Sequence, residues 1–235
     1  MRVIRAVFLD VGGVFHLPTE ERMREALAAA GFDLPANALA RAHYAGMAGH
    51  DRGSSDAGYP DLMGPYVEEM VRALAVPSGQ ADAARVALLA ALTAPGAWAG
   101  RLRESIEQLP ALAATGVRIA IVSNSDGTVE ARLRQEAICQ VGPGPGVAVD
   151  AVVDSGTAGV SKPDPRIWEP ALAATGARPE QSIHVGDSLL TDVGGARAAG
   201  IRPLHFDPFR LCRLDDHEHA ASLAEVVAIV EASRA

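Results

Sequence analysis

The stretch VIRAVFLDVGGV, residues 3–14, begins with a short apolar run that is rich in β-branched and aromatic side chains. The run ends at Asp10 and is followed by two glycines. This pattern is typical of a fully buried strand of a parallel sheet that runs into a loop. The chain from about Pro18 to Pro95 contains no comparable strand, so we predict a helical region directly after this first strand.

Glycine and proline divide that region into four predicted helices, over residues 20–30, 36–46, 61–75 and 80–92. From Trp98 onward, helices and apolar strands alternate. The predicted helices cover residues 100–115, 128–137, 165–175, 191–199 and 222–232. The predicted strands cover residues 117–122, 149–153, 182–185 and 201–206, and the glycine- and proline-rich stretch 141–147 is predicted to be a loop.

Alternating strands and helices imply a parallel sheet with helices on both faces. We therefore predict an α/β fold with a doubly wound, Rossmann-like core formed by residues 1–15 and 98–235. Residues 16–97 form an inserted α-helical domain in this prediction. Placing the first and fourth strands at the switch point of the sheet gives the strand order 3-2-1-4-5.

Composition narrows the range of functions. The chain has 235 residues, of which 49% are hydrophobic and 21% charged, so an extended disordered chain is excluded as the main state. The net charge of −8 and the lack of a basic patch argue against a nucleic-acid partner. The sequence contains no window of about 18 uninterrupted apolar residues, so we predict no membrane span. Arg5 and Asp10 interrupt the first apolar run too early for a signal peptide, and two cysteines are too few for a disulfide framework, so we expect a cytoplasmic protein.

Polar side chains follow each predicted strand where it ends, at the sheet edge where α/β proteins bind ligands. They are Asp10, the run Ser123-Asn124-Ser125-Asp126, Asp154 with Ser155, and Asp187 with Ser188 followed by Asp192. Lys162 lies in the loop before the helix that begins at Pro165. Each acid or hydroxyl alone could simply cap the next helix. Together they predict a chemical site built from acids, a hydroxyl and one lysine.

Four segments resemble the motifs of the haloacid dehalogenase-like hydrolases. They are FLDVGGV at 8–14, IVSNS at 121–125, SKPDP at 161–165 and HVGDSLLTD at 184–192. The resemblance covers about residues 3–10 and 98–207, and the helical insertion lies where this superfamily carries a substrate-capping domain. It implies that Asp10 is a nucleophile that forms an aspartyl-phosphate.

The resemblance also implies a metal site and a phosphate site. Mg²⁺ would be held by Asp10, the backbone carbonyl of Gly12 and Asp187, with Asp192 as a further acidic ligand or as an orienter of metal-bound water. Ser123 would donate a hydrogen bond to the transferring phosphoryl group, and Asn124 and Lys162 would help to bind the phosphate. Lys162 would place its charge on Asp10 and the phosphate together.

Gly12 departs from the pattern of the family's phosphatases, which usually carry a second aspartate at this position to protonate the leaving group. General acid–base help of this kind is worth about 10²–10⁴-fold. Either the leaving group needs little protonation, or a histidine delivers the proton, or the fold serves only for binding. The candidate histidines are His16, His43 and His50.

The prediction that follows is a Mg²⁺-dependent phosphatase that acts on a small phosphorylated metabolite. One alternative is a metal-free 2-haloacid dehalogenase, which also lacks the second aspartate; Asp187 and Asp192 argue against it, because a metal-free site gains nothing from extra carboxylates. The other is a catalytically weak binding module. Polar residues near a predicted helix end could read the substrate or form a solvated turn, namely Arg41, His43, His50, Asp51 and Arg52.

Overall fold

The computed structural model of the protein describes residues 3–53 and 63–234, with the side chain of Arg52 left out. The chain divides into two compact units. The α/β unit comprises Met1–Phe15, Arg103–Pro208 and Leu214–Ala235. The helical unit comprises His16–Leu102 and Phe209–Arg213, so its boundaries differ by a few residues from the predicted division at 97 and 98.

Ten strands occur in the described part of the chain. They are β1 (Ala6–Leu9), β2 (His16–Leu17), β3 (Gly100–Arg101), β4 (Arg118–Ser123), β5 (Cys139–Val141), β6 (Val147–Val149), β7 (Ala151–Asp154), β8 (Ser182–Gly186), β9 (Arg202–Phe206) and β10 (Glu218–Ala220). Six of them form the central sheet in the order β10-β9-β8-β1-β4-β7, and all neighbours are parallel. The predicted order 3-2-1-4-5 is confirmed, and β10 adds an edge strand that the sequence did not predict.

The helices of the helical unit are α1 (Glu20–Ala29), α2 (Ala38–Gly53), α3 (Met63–Ala73) and α4 (Ser78–Thr93). Those of the α/β unit are α5 (Arg103–Ala114), α6 (Val129–Gln135), α7 (Ser155–Ala158), α8 (Glu169–Thr175), α9 (Gly195–Ala198) and α10 (Leu223–Ala232). Short 3₁₀ turns cover Pro165–Trp168 and Pro179–Gln181, and a π-helical turn covers Leu189–Gly194. None of the helices in the described ranges is long and apolar enough to cross a bilayer.

Strand β1 lies at the centre of the sheet, between β4 and β8. All four of its residues are buried. Phe8 packs with Val122 of β4 and with Trp168 in a buried apolar cluster. A strand with helices on both faces of its sheet must be apolar on both sides, which explains the continuous apolar run that the sequence shows here.

Two predicted helices have ends that differ from the structure. The helix predicted from Gly100 begins at Arg103, because Gly100 and Arg101 form β3 and pair antiparallel with Leu17 and His16 of β2. A Cβ atom on Gly100 would lie 2.7 Å from the carbonyl oxygen of Pro18, so only glycine fits this close backbone approach. The predicted helix over 36–46 continues to Gly53, and positions 61 and 62 of another lie outside the described residues.

The glycine- and proline-rich stretch forms a loop only over residues 142–146. Val141 and Val147, predicted to belong to the loop, end β5 and begin β6, which pair parallel to each other. The strand predicted over 149–153 is therefore two strands, β6 and β7. The buried amide of Gln140 shapes the loop: it donates to the carbonyl oxygens of Gly142 and Gly146, at 3.2 and 3.1 Å, and accepts from the N–H of Gly146 at 2.9 Å.

Candidate active site

The carboxyl ends of β1, β4 and β8 bring the predicted site residues to one edge of the sheet. Leu9 of β1 is in register with Ile121 of β4 and with Val185 of β8. Asp10 directly follows Leu9, and Ser123 and Asp187 lie two positions beyond Ile121 and Val185, so the three residues come to the same edge of the sheet. All three side chains are buried. The register of the parallel strands thus creates the site, as the switch-point rule for α/β sheets predicts.

Lys162 reaches this edge from the loop before the turn at Pro165. Its ammonium Nζ lies 2.9 Å from Oδ1 of Asp10 and 2.6 Å from Oδ1 of Asp192. The lysine side chain is only 1% exposed, so its charge acts on these carboxylates with little screening by water. The lysine therefore joins Asp10 to Asp192, which lies within the π-helical turn.

Asn124 fixes the main chain of Lys162. Oδ1 of Asn124 accepts a hydrogen bond from the N–H of Lys162 at 2.8 Å, and Nδ2 donates to the carbonyl oxygen of Lys162 at 3.0 Å. Both ends of the amide are thereby engaged on one residue. In this structure the side chain of Asn124, which we predict to help bind phosphate, holds the loop of Lys162 in place.

Asp192 is enclosed by donors. Its Oδ1 accepts from Lys162 and from Nε2 of His184, at 2.8 Å, and its Oδ2 accepts from the N–H of Ser188 at 3.1 Å. A Cβ on Gly186 would lie 2.2 Å from Cγ of Asp192, so a glycine is required beside the carboxylate. His184 was missed in the sequence because a histidine inside an apolar strand reads as an ordinary core residue. Its place eight residues before Asp192 was the only available signal.

Charge coupling sets the protonation of the cluster. Burial raises the pKa of Asp10; Lys162 opposes this rise and Asp192 adds to it. Burial alone would lower the pKa of Lys162, but Asp10 and Asp192 outweigh it and raise that pKa. Burial would raise the pKa of Asp192, but Lys162 and His184 together lower it. Lys162 and Asp192 thus favour their charged forms, whereas the net effect of burial and neighbouring charge on Asp10 is a raised pKa.

The donor set fits a hard divalent cation. Oxygen atoms of Asp10, Asp187 and Asp192 lie within 4.8 Å of one another, and all three residues are buried. Carboxylate oxygens are the ligands that Mg²⁺ prefers. The three hydrogen bonds to Asp192 favour Asp10 and Asp187 as direct ligands. The raised pKa of Asp10 is consistent with such a cation, since one lysine does not balance three buried carboxylates.

The two glycines after Val11 differ in what they permit. Gly13 has a φ of +67°, and a Cβ atom there would lie 2.0 Å from Oδ2 of Asp187. Any side chain at Gly13 would therefore displace Asp187. At Gly12 the nearest atom to a Cβ is Oδ2 of Asp10, at 3.9 Å, so a Cβ atom fits there without a clash.

The acid after the third predicted strand caps a helix instead of joining the site. Asp154 accepts three backbone hydrogen bonds, from Gly127 at 3.0 Å, Gly156 at 2.9 Å and Val129 at 3.1 Å. Ser155 binds the main chain of Ser125. For Asp154 the capping interpretation accounts for these three hydrogen bonds.

The three histidines considered as proton donors belong to the helical unit, whereas Asp10 belongs to the α/β unit. His43 is buried against Tyr66, whose hydroxyl lies 2.8 Å from its Nδ1, and its ring contacts Trp98 edge-on. Nδ1 of His50 lies 3.5 Å from Oδ1 of Asp51. His16 is buried in β2. The side chain of Arg52, part of the candidate substrate-reading cluster, lies outside the described residues.

Comparison with known proteins adds three findings. A family model described as haloacid dehalogenase-like hydrolase matches residues 4–200. A phosphoserine phosphatase of Thermus thermophilus is 38% identical over 108 residues, which cover 46% of this chain and 40% of that protein. The chain thus spans less than half the length of the curated relatives that it matches.

Solved structures share the fold across the whole chain. A HAD-superfamily hydrolase from Ehrlichia chaffeensis superimposes with a TM-score of 0.59 at 15% identity and covers 100% of both chains. A 2-haloacid dehalogenase from Pseudomonas syringae pv. tomato gives 0.55 at 19% identity, over 99% of this chain and 100% of that one. At these identities the likeness establishes the fold alone.

Proposed function

The chain belongs to the haloacid dehalogenase-like hydrolases, and from this premise we propose that it is a Mg²⁺-dependent phosphatase of a small phosphorylated metabolite. One observation carries the proposal. The buried carboxylate of Asp10 lies 2.9 Å from the ammonium of Lys162, with the acids Asp187 and Asp192 beside it. A nucleophile, a fixed cation and ligands for a second cation are what transfer of an anionic phosphoryl group requires.

In the proposed reaction, an oxygen of Asp10 forms a bond to phosphorus while the bond from phosphorus to the leaving oxygen breaks. The product is an aspartyl-phosphate and an alcohol or acid. Water then attacks the phosphorus, the bond to Asp10 breaks, and inorganic phosphate leaves. Lys162 holds its charge beside the carboxylate of Asp10 in both steps, and the hydroxyl of Ser123 binds a phosphoryl oxygen.

Mg²⁺ would be held by Asp10, Asp187 and the carbonyl of Gly12, where it would neutralise charge on the phosphoryl oxygens. Asp192 is better suited to hold Lys162, since its oxygens already accept from Lys162, His184 and Ser188. Asn124 would meet the phosphate only through its main-chain N–H, because its amide is bound to Lys162.

Gly12 restricts the leaving group in this proposal. A glycine cannot donate a proton, so the leaving oxygen must depart as a stable anion or take its proton from solvent. Acyl phosphates, anomeric sugar phosphates and aryl phosphates meet this condition. We therefore expect activity on such compounds and slow turnover of simple alkyl phosphates.

The helical unit is inserted between β1 and α5 in the chain, and we assign it the role of a substrate-selecting cap, as in the family resemblance. The expected partner is a small molecule, with no nucleic acid or membrane. A cytoplasmic location remains a prediction that rests on the low cysteine content of the chain and on the interrupted apolar run at residues 3–9.

The test is a screen of phosphate esters with and without Mg²⁺, run beside a halide-release assay on 2-haloacids. We expect phosphate release that requires Mg²⁺ and is abolished in Asp10→Asn. The matched control is Asp82→Asn, which alters a fully exposed carboxylate of the helical unit. Halide release without metal would replace the proposal by the dehalogenase activity, which Gly12 also permits. If the protein shows neither phosphatase nor dehalogenase activity, the binding-module alternative is favoured.

A further inference from the structure

Three histidines cluster at the edge of the sheet beyond β8, outside the acid–lysine cluster. His205 in β9 and His219 in β10 are register partners, so their side chains lie side by side on one face. His217 directly precedes β10. The ring centroids of the three residues are 4.5 to 5.3 Å apart. Three imidazoles packed this closely form a concentrated set of nitrogen donors in the α/β unit.

The nitrogen spacing matches that of metal ligands. Nδ1 of His205 lies 3.1 Å from Nε2 of His217, and the ring nitrogens of the cluster include one from each histidine within 4.8 Å of the others. Two nitrogens bound to one tetrahedral zinc ion, at Zn–N distances of about 2.0–2.1 Å, lie about 3.3–3.4 Å apart. The observed pair needs only a small adjustment to bind one ion.

The outer ring nitrogens of His205 and His217, which face away from each other, already have hydrogen-bond partners. Nε2 of His205 lies 3.2 Å from the carbonyl oxygen of Asp187, to which it can only donate. Nδ1 of His217 lies 2.7 Å from Oδ1 of Asp216, whose carboxylate is also held by Arg197. If both outer nitrogens carry the protons, the two inner nitrogens present lone pairs to each other. A carbonyl or a carboxylate behind each ring is the usual support of a metal-binding histidine.

We propose that His205, His217 and His219 form a binding site for a borderline divalent transition metal, with Zn²⁺ as the natural occupant. Nitrogen donors select such ions over Mg²⁺, which prefers oxygen ligands. The site is distinct from the cluster of Asp10, Asp187 and Asp192 and does not depend on the phosphatase proposal. An ion at this site would hold β9 to β10 and, through His205, would fix the main chain of Asp187.

The test uses full-length, tag-free protein stripped with a chelator and then titrated with Zn²⁺ in excess Mg²⁺, followed by calorimetry and thermal unfolding. We expect one equivalent of Zn²⁺ to bind and to raise the melting temperature. Titration with Co²⁺ should give the visible absorption of a four-coordinate ion. His217→Ala and His219→Ala should each lose tight binding.

Three further variants keep the result independent of folding defects. Asp216→Asn changes an exposed carboxylate behind His217 and should weaken binding about 10–100-fold without unfolding the chain. His50→Ala, in the helical unit, should bind as the wild type does. Asp10→Asn should also retain the Zn²⁺, because its carboxylate belongs to the other site.

Three results would overturn the proposal. The first is unchanged Zn²⁺ affinity in both histidine variants. The second is loss of the Zn²⁺ in Asp10→Asn, which would assign the ion to the carboxylate cluster. The third is no binding by the wild type, in which case a proton shared between His205 and His217 accounts for their 3.1 Å contact.

Discussion

Nζ of Lys162 lies 2.6 Å from Oδ1 of Asp192, and both side chains are 1% exposed. A buried pair of this kind is not a strong source of net stability, because both ions lose their hydration. Its value here is positional: the carboxylate directs the ammonium toward Asp10, 2.9 Å away on its other side. The pair therefore sets the charge next to the atom that we expect to react.

Replacement of Lys162 should lower both the free energy of unfolding and the rate of turnover. In Lys162→Met, Asp10 and Asp192 lose their shared positive partner in a buried environment, and breaking one side of a buried ion pair costs about 3–5 kcal/mol. Urea unfolding should show a loss of this order, together with loss of turnover. Arg166→Met is the matched control, since Arg166 pairs with Asp164 at the surface and should leave stability nearly unchanged. Equal effects of the two variants would contradict the positional role.

The amide of Asn124 should affect catalysis through the lysine loop. Asn124→Ala removes both hydrogen bonds to the main chain of Lys162 and leaves those groups without the amide, at a cost of about 1–3 kcal/mol. We expect kcat to fall more than KM rises, because the charge at Asp10 is displaced. Ser125→Ala, one residue further, is the control. A change in KM alone would identify Asn124 as a binding residue.

The two glycines after Val11 should respond in opposite ways. The Cβ of Gly12→Asp meets no clash, and the variant should raise kcat/KM on alkyl phosphates by some fraction of the roughly 10²–10⁴ that general acid catalysis supplies. Gly13→Ala should impair both folding and metal binding, since its Cβ would collide with Asp187. The measurement is kcat/KM over a series of leaving groups of different pKa. An equal response of kcat/KM across that series would show that protonation of the leaving group is not limiting.

The buried thiol of Cys139 should resist alkylation. Burial, with a contribution from Glu130, raises the pKa of Cys139 to about 12. At pH 8 the folded protein should therefore be alkylated at the partly exposed Cys212 and not at Cys139, as peptide mapping by mass spectrometry can show. The pKa of this thiol is higher folded than unfolded, so its contribution to stability is complete below about pH 8.5, the usual pKa of a thiol, and is lost as the pH rises toward 12. Rapid modification of Cys139 at pH 8 would contradict this.

The sequence predicts the strands of this fold where apolar runs are continuous, as at β1 and β4, because both faces of those strands are buried. It does not predict β10, since the letters Glu-His-Ala show no apolar run and the strand lies at the edge of the sheet. The two-residue strands β2 and β3 are too short for any pattern. The order of the inner strands follows from the requirement that Asp10 and Asp187 lie side by side, which makes their two strands neighbours at the switch point.

The site is predictable in position but not in its contacts. Asp10, Asp187 and Lys162 stand out because each follows or approaches a strand end. The side-chain directions of Asn124 and His184 do not follow from spacing, because each depends on a partner more than seven positions away in the chain. Asp154 shows the converse: it occupies an equivalent strand end and serves as a cap.

The insertion of the helical unit after β1 has a consequence for synthesis on the ribosome. Strand β1 pairs with β4 and β8, whose last residue is Gly186. At 5–20 residues per second, about 9–35 s pass between translation of Leu9 and of Gly186. Strand β4 is complete only at Ser123, so β1 has no neighbouring strand for about 6–23 s and lacks β8 for the whole interval, while helices α1 to α4 can already pack. We expect nascent chains to be protected from proteolysis first over the helical unit, and to rely on chaperones at residues 3–9.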